Sequence, residues 1–313
     1  MAEALSEDAK AAIAEIRNLA ARRRAIILSH YYCRPEVQDA ADFVGDSLGL
    51  SQTAADSEAE VIIFAGVHFM AETASILCPG KVIVLANGGA GCPMADMITA
   101  EALAARKKEM PDAEVLTYVN SPAEVKALSD VCCTSANVVP VLESMPAARV
   151  LMTPDQNLAA FAAGLVREKE VIAWEGYCPV HHKLRAGDVA RLKAEHSEAL
   201  VAAHPECRPE VLEQADFVGS TTAILNYLKN APGKEFIVFT EEGVRHKLLK
   251  DNPDKVFYFP DGTICEDMKK ITLSDLKTAL ETLRPEVRVS AEIRKRALSP
   301  IEKMLAVKPK PAA

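Results

Sequence analysis

Nine short aliphatic runs punctuate the chain, at residues 25–29, 61–65, 81–86, 114–117, 149–152, 171–174, 199–203, 235–240 and 255–259. Each is largely continuous rather than alternating, so each reads as a strand buried on both faces. Between the runs the apolar residues fall at helical spacing, and several of these segments open on Ser, Thr or Pro. Strands alternating with helices predict an α/β protein whose parallel sheets are covered by helices on both faces. In such sheets ligands gather beyond the carboxyl ends of the strands.

The pattern repeats. HYYCRPEV at 30–37 recurs as HPECRPEV at 204–211, and ADFVG at 41–45 recurs at 215–219, without a gap. Eleven of 18 positions are identical between 30–47 and 204–221, at an offset of 174. A middle copy is due near half that offset, and YVNSPAEV at 118–125 supplies it, keeping the Glu-Val pair. The nine strands then divide into three per copy. This predicts three αβα units, at 1–110 with an N-terminal helix, 111–196, and 197–313 with C-terminal helices, arranged about a pseudo-threefold axis. Three sets of strand ends would face one central cavity.

The copies align residue by residue. His30, Tyr118 and His204 open the loop after the first strand of each unit, and Tyr32, Asn120 and Glu206 follow two residues later. Ser47, Ser135 and Thr221 each stand 17 residues after the first member, at the start of an expected helix. Hydroxyls there are good N-caps, and helix starts also suit phosphate or carboxylate groups.

Composition removes several classes of function. With 36 Lys and Arg against 44 Asp and Glu, the net charge is −8, and no basic run is longer than three residues, as at Arg22 to Arg24. Nucleic acid is therefore not the expected partner. The apolar run 61–67, like every other in the chain, is far short of the roughly 20 residues of a membrane span. An N-terminal segment rich in Ala, Glu and Arg lacks the apolar core of a signal peptide, so a cytoplasmic protein is expected.

There are eight cysteines and no CxxC pair. In a reducing compartment they are not expected to form disulfides. Cys92, Cys178 and Cys265 follow the third strand of successive units at spacings of 86 and 87, the one cysteine triplet with a member in every copy. Three thiols about a pseudo-threefold axis suit a [4Fe–4S] cluster whose fourth iron is open and can act as a Lewis acid. A three-cysteine zinc site with a bound water is the rival. Cys33 and Cys207 match each other but face Ser121 in the middle copy, so packing is expected of them; Cys78, Cys132 and Cys133 read as buried small residues. The triplet sits in the loops NGGAGCPMAD (87–96), WEGYCPVHH (174–182) and DGTICEDMKK (261–270), each with a glycine ahead of the cysteine, which lets the backbone approach a ligand closely. His181 either faces the metal or caps its loop.

These motifs together resemble the NadA family of quinolinate synthases. The resemblance spans about residues 24–285 and rests on LSHYY (28–32), DFVGDS (42–47), AGCPMAD (90–96), YVN (118–120), TSAN (134–137), PDQNL (154–158), GYCPVH (176–181), HPE (204–206), GST (219–221) and CEDMKKITL (265–273). Ala159 departs from the glycine expected after PDQNL. The resemblance implies three αβα units around a central [4Fe–4S] cluster held by Cys92, Cys178 and Cys265. It implies condensation of iminoaspartate with dihydroxyacetone phosphate to quinolinate in de novo NAD biosynthesis, with the cluster as Lewis acid and functional coupling to the enzyme that makes iminoaspartate.

The residue types fit that chemistry. Ser47, Ser135 and Thr221 can hold phosphate or carboxylate, and His30 and His204 can donate to an anion and pass protons. Glu206 is the candidate base, Tyr32 the candidate proton partner, and Tyr118 and Asn120 would orient carboxylates. Asn157, Lys183 and Lys269 are weaker anion-binding candidates. Two other classes remain open on the residues alone: a metal carrier or sensor, of which four cysteine ligands would be expected, and a hydro-lyase using an open iron on another hydroxy acid.

Overall fold

The computed structural model describes residues 5–309; the outer ends of the first and third expected units, 1–4 and 310–313, lie outside the described residues. Three four-stranded sheets are present, each with every pairing parallel and each built from one repeat. The first holds β1 (Ala25–His30), β2 (Phe43–Gly45), β3 (Val61–Ala65) and β4 (Val82–Leu85) in the order β2-β1-β3-β4. The second holds β5 (Glu114–Tyr118), β6 (Val131–Cys133), β7 (Arg149–Thr153) and β8 (Glu170–Ala173) in the order β6-β5-β7-β8. The third holds β9 (Leu200–Ala203), β10 (Phe217–Val218), β11 (Glu235–Phe239) and β12 (Val256–Tyr258) in the order β10-β9-β11-β12.

All nine expected strands are present, in an α/β fold of three units. The structure adds a fourth to each sheet. β2, β6 and β10 are two or three residues long and lie at a sheet edge, paired only with the end of the first strand, as in Leu28 opposite Phe43. Such a length carries no periodicity, which is why the sequence pattern passes over them.

Two side-chain devices recur in all three units and explain part of the repeat. Asp42, Asp130 and Asp216 accept the backbone N–H of Ile27, Val115 and Val201 at 2.8, 2.7 and 2.7 Å, tying the edge strand to the central one. Lys81, Lys169 and Lys255 donate to the carbonyls at the end of the helix before the second central strand, as in Lys169 to Met145 at 2.5 Å and Lys255 to Leu228 at 2.6 Å. Free carbonyls at a helix C-terminus favour a cation, and hydrogen bonds to charged groups contribute about 1.5–3 kcal/mol each.

The hydroxyl positions differ from their expected caps. The helix Ser47–Asp56 is capped by Asp46, which accepts from Gly49 N at 3.0 Å, and the helix Thr221–Asn230 by Ser220, which accepts from Ala223 N at 3.3 Å. Ser47 and Thr221 are the first helical residues, and Ser135 precedes the helix Val138–Ser144, whose N-cap is Asn137. In two units a capping residue stands just ahead of the hydroxyl, so the side chains of Ser47 and Thr221 are not needed as caps.

One large hydrophobic cluster runs through the first two units and the C-terminal helices, from Ile13 and Ile27 through Leu116 and Met152 to Leu280 and Ile301. The third sheet packs separately, with Phe236 and Val238 on one face and Ile237 and Phe239 on the other. The helix Leu273–Thr282 lies on the N-terminal helix Glu7–Arg22, where Arg23 Nε donates to Leu280 O at 3.0 Å. The helix Ala291–Ala306 covers β6, held by Asn137 Nδ2 donating to Met304 O at 3.0 Å. Among the described residues no helix is long and apolar enough to cross a membrane.

Candidate active site

A cavity of about 360 Å³ lies where the three sets of strand ends converge. His30 and Tyr118 end β1 and β5, and His204 follows β9 directly, so the sheets deliver one member of each copy to the same wall. The cavity is lined by His30, Tyr32, Ser47, Tyr118, Asn120, Ser135, His204, Glu206 and Thr221, and by Cys92, Cys178 and Cys265. Every residue of the main catalytic, substrate-binding and metal-ligating set thus faces one space, the weaker candidates Asn157 and Lys269 excepted. Its size suits a small ligand.

Glu206 is the electrostatic centre. Its carboxylate accepts from the Tyr118 hydroxyl at 2.7 Å and lies 2.7 Å from His181 Nδ1 and 3.7 Å from His204 Nδ1. Burial alone would raise its pKa, yet the facing His204 and His181 rings and the hydrogen bonds from His181 and Tyr118 outweigh it and hold the carboxyl below its ordinary range. Burial, reinforced by the Glu206 charge, pushes the Tyr118 and Tyr32 hydroxyls well above theirs, so both stay protonated. Tyr32 shares its hydroxyl with Thr221 and Thr240, each at 2.9 Å, and His181 Nε2 meets the same Thr240 oxygen at 3.0 Å. One chain of hydrogen bonds therefore runs from Thr221 to Glu206 and on to Tyr118.

His30 and His204 are twins in geometry as in sequence. The backbone N–H of Tyr32 donates to His30 Nδ1 at 3.2 Å, and that of Glu206 donates to His204 Nδ1 at 3.3 Å. An Nδ1 that accepts carries no proton, so each neutral ring holds its proton on Nε2. Burial is the main reason both pKa values fall to about 3. Near pH 7 both rings are neutral Nε2–H donors. The Asn120 side-chain oxygen is, among the described residues, the one buried side-chain N or O atom without a hydrogen-bond partner. A buried orphan acceptor on a cavity wall calls for a donor from a ligand or water.

The three cysteines occupy equivalent loops. Cys178 and Cys265 directly precede the short helices Pro179–His182 and Glu266–Lys269, and Cys92 precedes the turn Ala95–Met97. Burial raises the thiol pKa of Cys92 to about 12, of Cys265 to about 11 and of Cys178 well above the usual value, and each of Cys92 and Cys178 also feels a neighbouring thiol of the set. Protonated, crowded and half-buried, these thiols are donors that a metal would have to deprotonate. Cys178 Sγ also lies 3.2 Å from His181 Nδ1, and Cys178, His181 and Glu206 form a group whose donor atoms could hold a metal ion.

The remaining candidates divide. Lys183 lines the cavity and donates to Gly262 O. Asn157 does not; it bonds His182 Nδ1 at 2.9 Å and Glu206 O at 3.0 Å, buttressing the Glu206 backbone from behind. Lys269 is likewise absent from the wall and joins Tyr32 O to Glu241, each at 2.6 Å. Cys33 and Cys207 are fully buried and face the carbonyls of Ala65 and Phe239, and neither lines the cavity; nor do Cys78, Cys132 and Cys133. Thr240 escapes the sequence reading. Its position just past β11 is the only signal that could have found it.

Residues 14–306 match the family described as NadA, quinolinate synthetase A protein. A quinolinate synthase of Desulforudis audaxviator is 53% identical over 297 residues, covering 94% of this chain and 98% of the relative. Quinolinate synthases of Methanosarcina barkeri (50%, over 95% of this chain and 97% of the relative) and Geobacter metallireducens (49%, over 94% and 96%) are similar over the same extent.

Proposed function

The chain belongs to the NadA family of quinolinate synthases, enzymes of NAD biosynthesis, and from that premise we propose that it condenses iminoaspartate with dihydroxyacetone phosphate. One phosphate and two waters leave and quinolinate forms, which balances every atom. The observation that carries this reading is one cavity in which three equivalent thiols meet two neutral imidazole donors, the buried Glu206 carboxylate and an unpaired amide oxygen.

Cys92, Cys178 and Cys265 would hold a [4Fe–4S] cluster, and the donor set fits: three thiols, one per unit, lining one cavity. Bound there, the cluster would supply a Lewis acid for a substrate oxygen. The protein's own groups do the rest. His30 and His204 offer Nε2–H to the anionic ends of the substrates, which carry a phosphate and carboxylates. Ser47, Ser135 and Thr221 add hydroxyls at or near helix starts, where anions are favoured. The Asn120 oxygen accepts from the imine or a substrate hydroxyl. Glu206, ionised and held by Tyr118 and His181, takes the protons lost during dehydration. Tyr32, linked to Thr240 and His181, passes a proton to the departing hydroxyl. We divide the chain into three units, at 1–110, 111–196 and 197–313, a reading supported by the three separate four-stranded sheets. Eight unpaired cysteines suit a reducing, cytoplasmic setting, and an imine that water hydrolyses favours coupling to the enzyme that makes it.

A mononuclear ion on Cys178, His181 and Glu206 is the second reading, favoured by their mutual approach. One experiment separates the two. The protein is prepared anaerobically, its iron and acid-labile sulfide are counted, and it is mixed with both substrates. The first reading expects about four irons and four sulfides per chain with quinolinate formed. A fully loaded cluster without quinolinate refutes it, and one metal without sulfide supports the second.

A further inference from the structure

We propose that Asp155, Glu241 and Asp267 are positioning residues for the metal centre, each fixing the backbone of one cysteine-bearing loop. This rests on the reading that Cys92, Cys178 and Cys265 hold that centre. Asp155 Oδ2 accepts the backbone N–H of Cys178 at 3.0 Å, and Glu241 Oε1 accepts that of Cys265 at 3.1 Å. The two carboxylates are equivalent in the repeat, since each is the second residue after its strand, β7 and β11. The corresponding residue after β3 is Val67, which has no acceptor to offer. The first loop is served from elsewhere: Asp267, two residues beyond Cys265, accepts from Gly91 N at 3.1 Å, next to Cys92.

Each carboxylate has a second anchor that makes it stiff. Asp155 Oδ1 accepts from Leu158 N at 2.6 Å, capping the helix Gln156–Leu165. Glu241 takes Gly243 N at 2.6 Å and Lys269 Nζ at 2.6 Å. Asp267 is paired to Lys270 at 2.7 Å. Asp155 and Glu241 are both fully buried, and a buried carboxylate is costly to keep unless its bonds are made. Fixing a strand end does not require one, as Val67 demonstrates in the first unit. What Cys178 and Cys265 share is that their own N–H groups are occupied by oxygen. An N–H so engaged cannot donate to a thiolate or a cluster sulfide. The sulfurs keep backbone donors from Ala95 and Met94, from His181, and from Met268 and Asp267, but the engaged N–H groups of Cys178 and Cys265 add none, and a limited donor set with acidic groups close by lowers the reduction potential of an iron–sulfur cluster. The arrangement therefore holds the centre in its oxidised form, the form in which an open iron works as a Lewis acid rather than an electron carrier.

The test uses the full chain with its cluster assembled anaerobically, comparing Asp155→Asn and Glu241→Gln with Asp130→Asn. Asp130 makes the same kind of bond, to Val115 N at 2.7 Å, but neither residue lines the cavity that holds Cys92, Cys178 and Cys265. Midpoint potential and the rate of iron loss to a chelator are read for each, with the thermal midpoint as the structural control. D155N and E241Q should show a more positive potential and at least about tenfold faster iron loss, while D130N lowers the thermal midpoint and leaves both cluster readouts unchanged. Unchanged potential and iron loss in D155N and E241Q overturn the proposal, as does an equal change in D130N. If D155N does not fold, Asp267→Asn carries the same test at Cys92. A parent chain that assembles no cluster overturns the underlying reading instead, so the two failures are told apart before any variant is made.

Discussion

Replacing Glu206 by Gln separates catalysis from architecture at one atom. The carboxylate accepts from the Tyr118 hydroxyl and faces His181 Nδ1, both at 2.7 Å. Bonds to a charged acceptor contribute about 1.5–3 kcal/mol and neutral ones about 0.5–1.5, so neutralising the group weakens the two contacts by about 2–3 kcal/mol together. Removing a buried charge returns a desolvation penalty of several kcal/mol, of opposite sign. The net change in stability is thus small, a shift of a few degrees in thermal midpoint for a chain of this length. Turnover has no such compensation. A positioned general base contributes about 10²–10⁴-fold, or about 3–5 kcal/mol of barrier. The expected result is a Glu206→Gln chain that folds, keeps its iron and sulfide, and makes quinolinate at least about a hundredfold more slowly. Product is followed by chromatography under anaerobic conditions, with metal content and thermal unfolding on the same samples. A variant with full metal content and turnover within about threefold of the parent refutes Glu206 as the base, since the Brønsted contribution would be missing. Loss of the metal along with activity refutes it too, because the group would then be serving the centre.

Single Cys→Ser changes at Cys92, Cys178 and Cys265 should each abolish iron binding and brown absorbance, whereas Cys207→Ser, at a fully buried thiol facing Phe239 O, should keep both and lose only stability; iron assay and absorbance decide. His204 has its pKa lowered to about 3 by burial, against about 6.5 in an unfolded chain, so the unfolded state binds the proton first and stability falls as pH drops from about 6.5 toward 3. Denaturant titrations between pH 7 and 5 should therefore give the parent a steeper acid limb than His204→Asn, by up to about 1.4 kcal/mol per pH unit, and equal slopes would show that the ring is not held neutral. Asp46→Ala should cost about 1 kcal/mol of stability because Asp46 is the true cap, while Ser47→Ala should leave the thermal midpoint in place and raise the KM for dihydroxyacetone phosphate. The reverse pattern would return the cap to Ser47.

Much of this was legible because the chain states its plan three times. The gapless match of 30–47 with 204–221 fixes which residues are equivalent, and strand ends in parallel sheets say where equivalents meet. That logic brings His30, Tyr118 and His204 to one wall with no knowledge of packing. It fails where a role depends on a single neighbour. Whether Ser47 or Asp46 caps a helix turns on one residue of register, and both are good caps by type. Lys269 looks like an anion contact in the sequence, but Glu241, 28 positions away, claims its charge. Thr240 is one hydroxyl among many until the Tyr32 and His181 side chains converge on it.

Which positions keep the threefold symmetry, and which break it, follows from the chemistry they serve. On the proposed reading a metal centre with three sulfur ligands has threefold character, which would account for the identity of Cys92, Cys178 and Cys265 across the units. Anion contacts tolerate near-identity, and Ser47, Ser135 and Thr221 all keep a hydroxyl. The substrates have no such symmetry. In the proposed reaction a proton leaves one carbon and a hydroxyl another, and the second residue of each loop, which differs as Tyr32, Asn120 and Glu206, would supply a neutral donor, an amide acceptor and a base. The network enforces that division. The Glu206 charge helps to keep Tyr32 and Tyr118 protonated, while the hydrogen bond from Tyr118 helps to keep Glu206 ionised. Restoring symmetry at this position should therefore damage catalysis more than binding. Glu206→Asn, which copies the middle unit, should retain affinity for a carboxylate-bearing product analogue within a few-fold while turnover falls by about a hundredfold or more. A comparable loss in both would mean that Glu206 binds substrate rather than moving its protons.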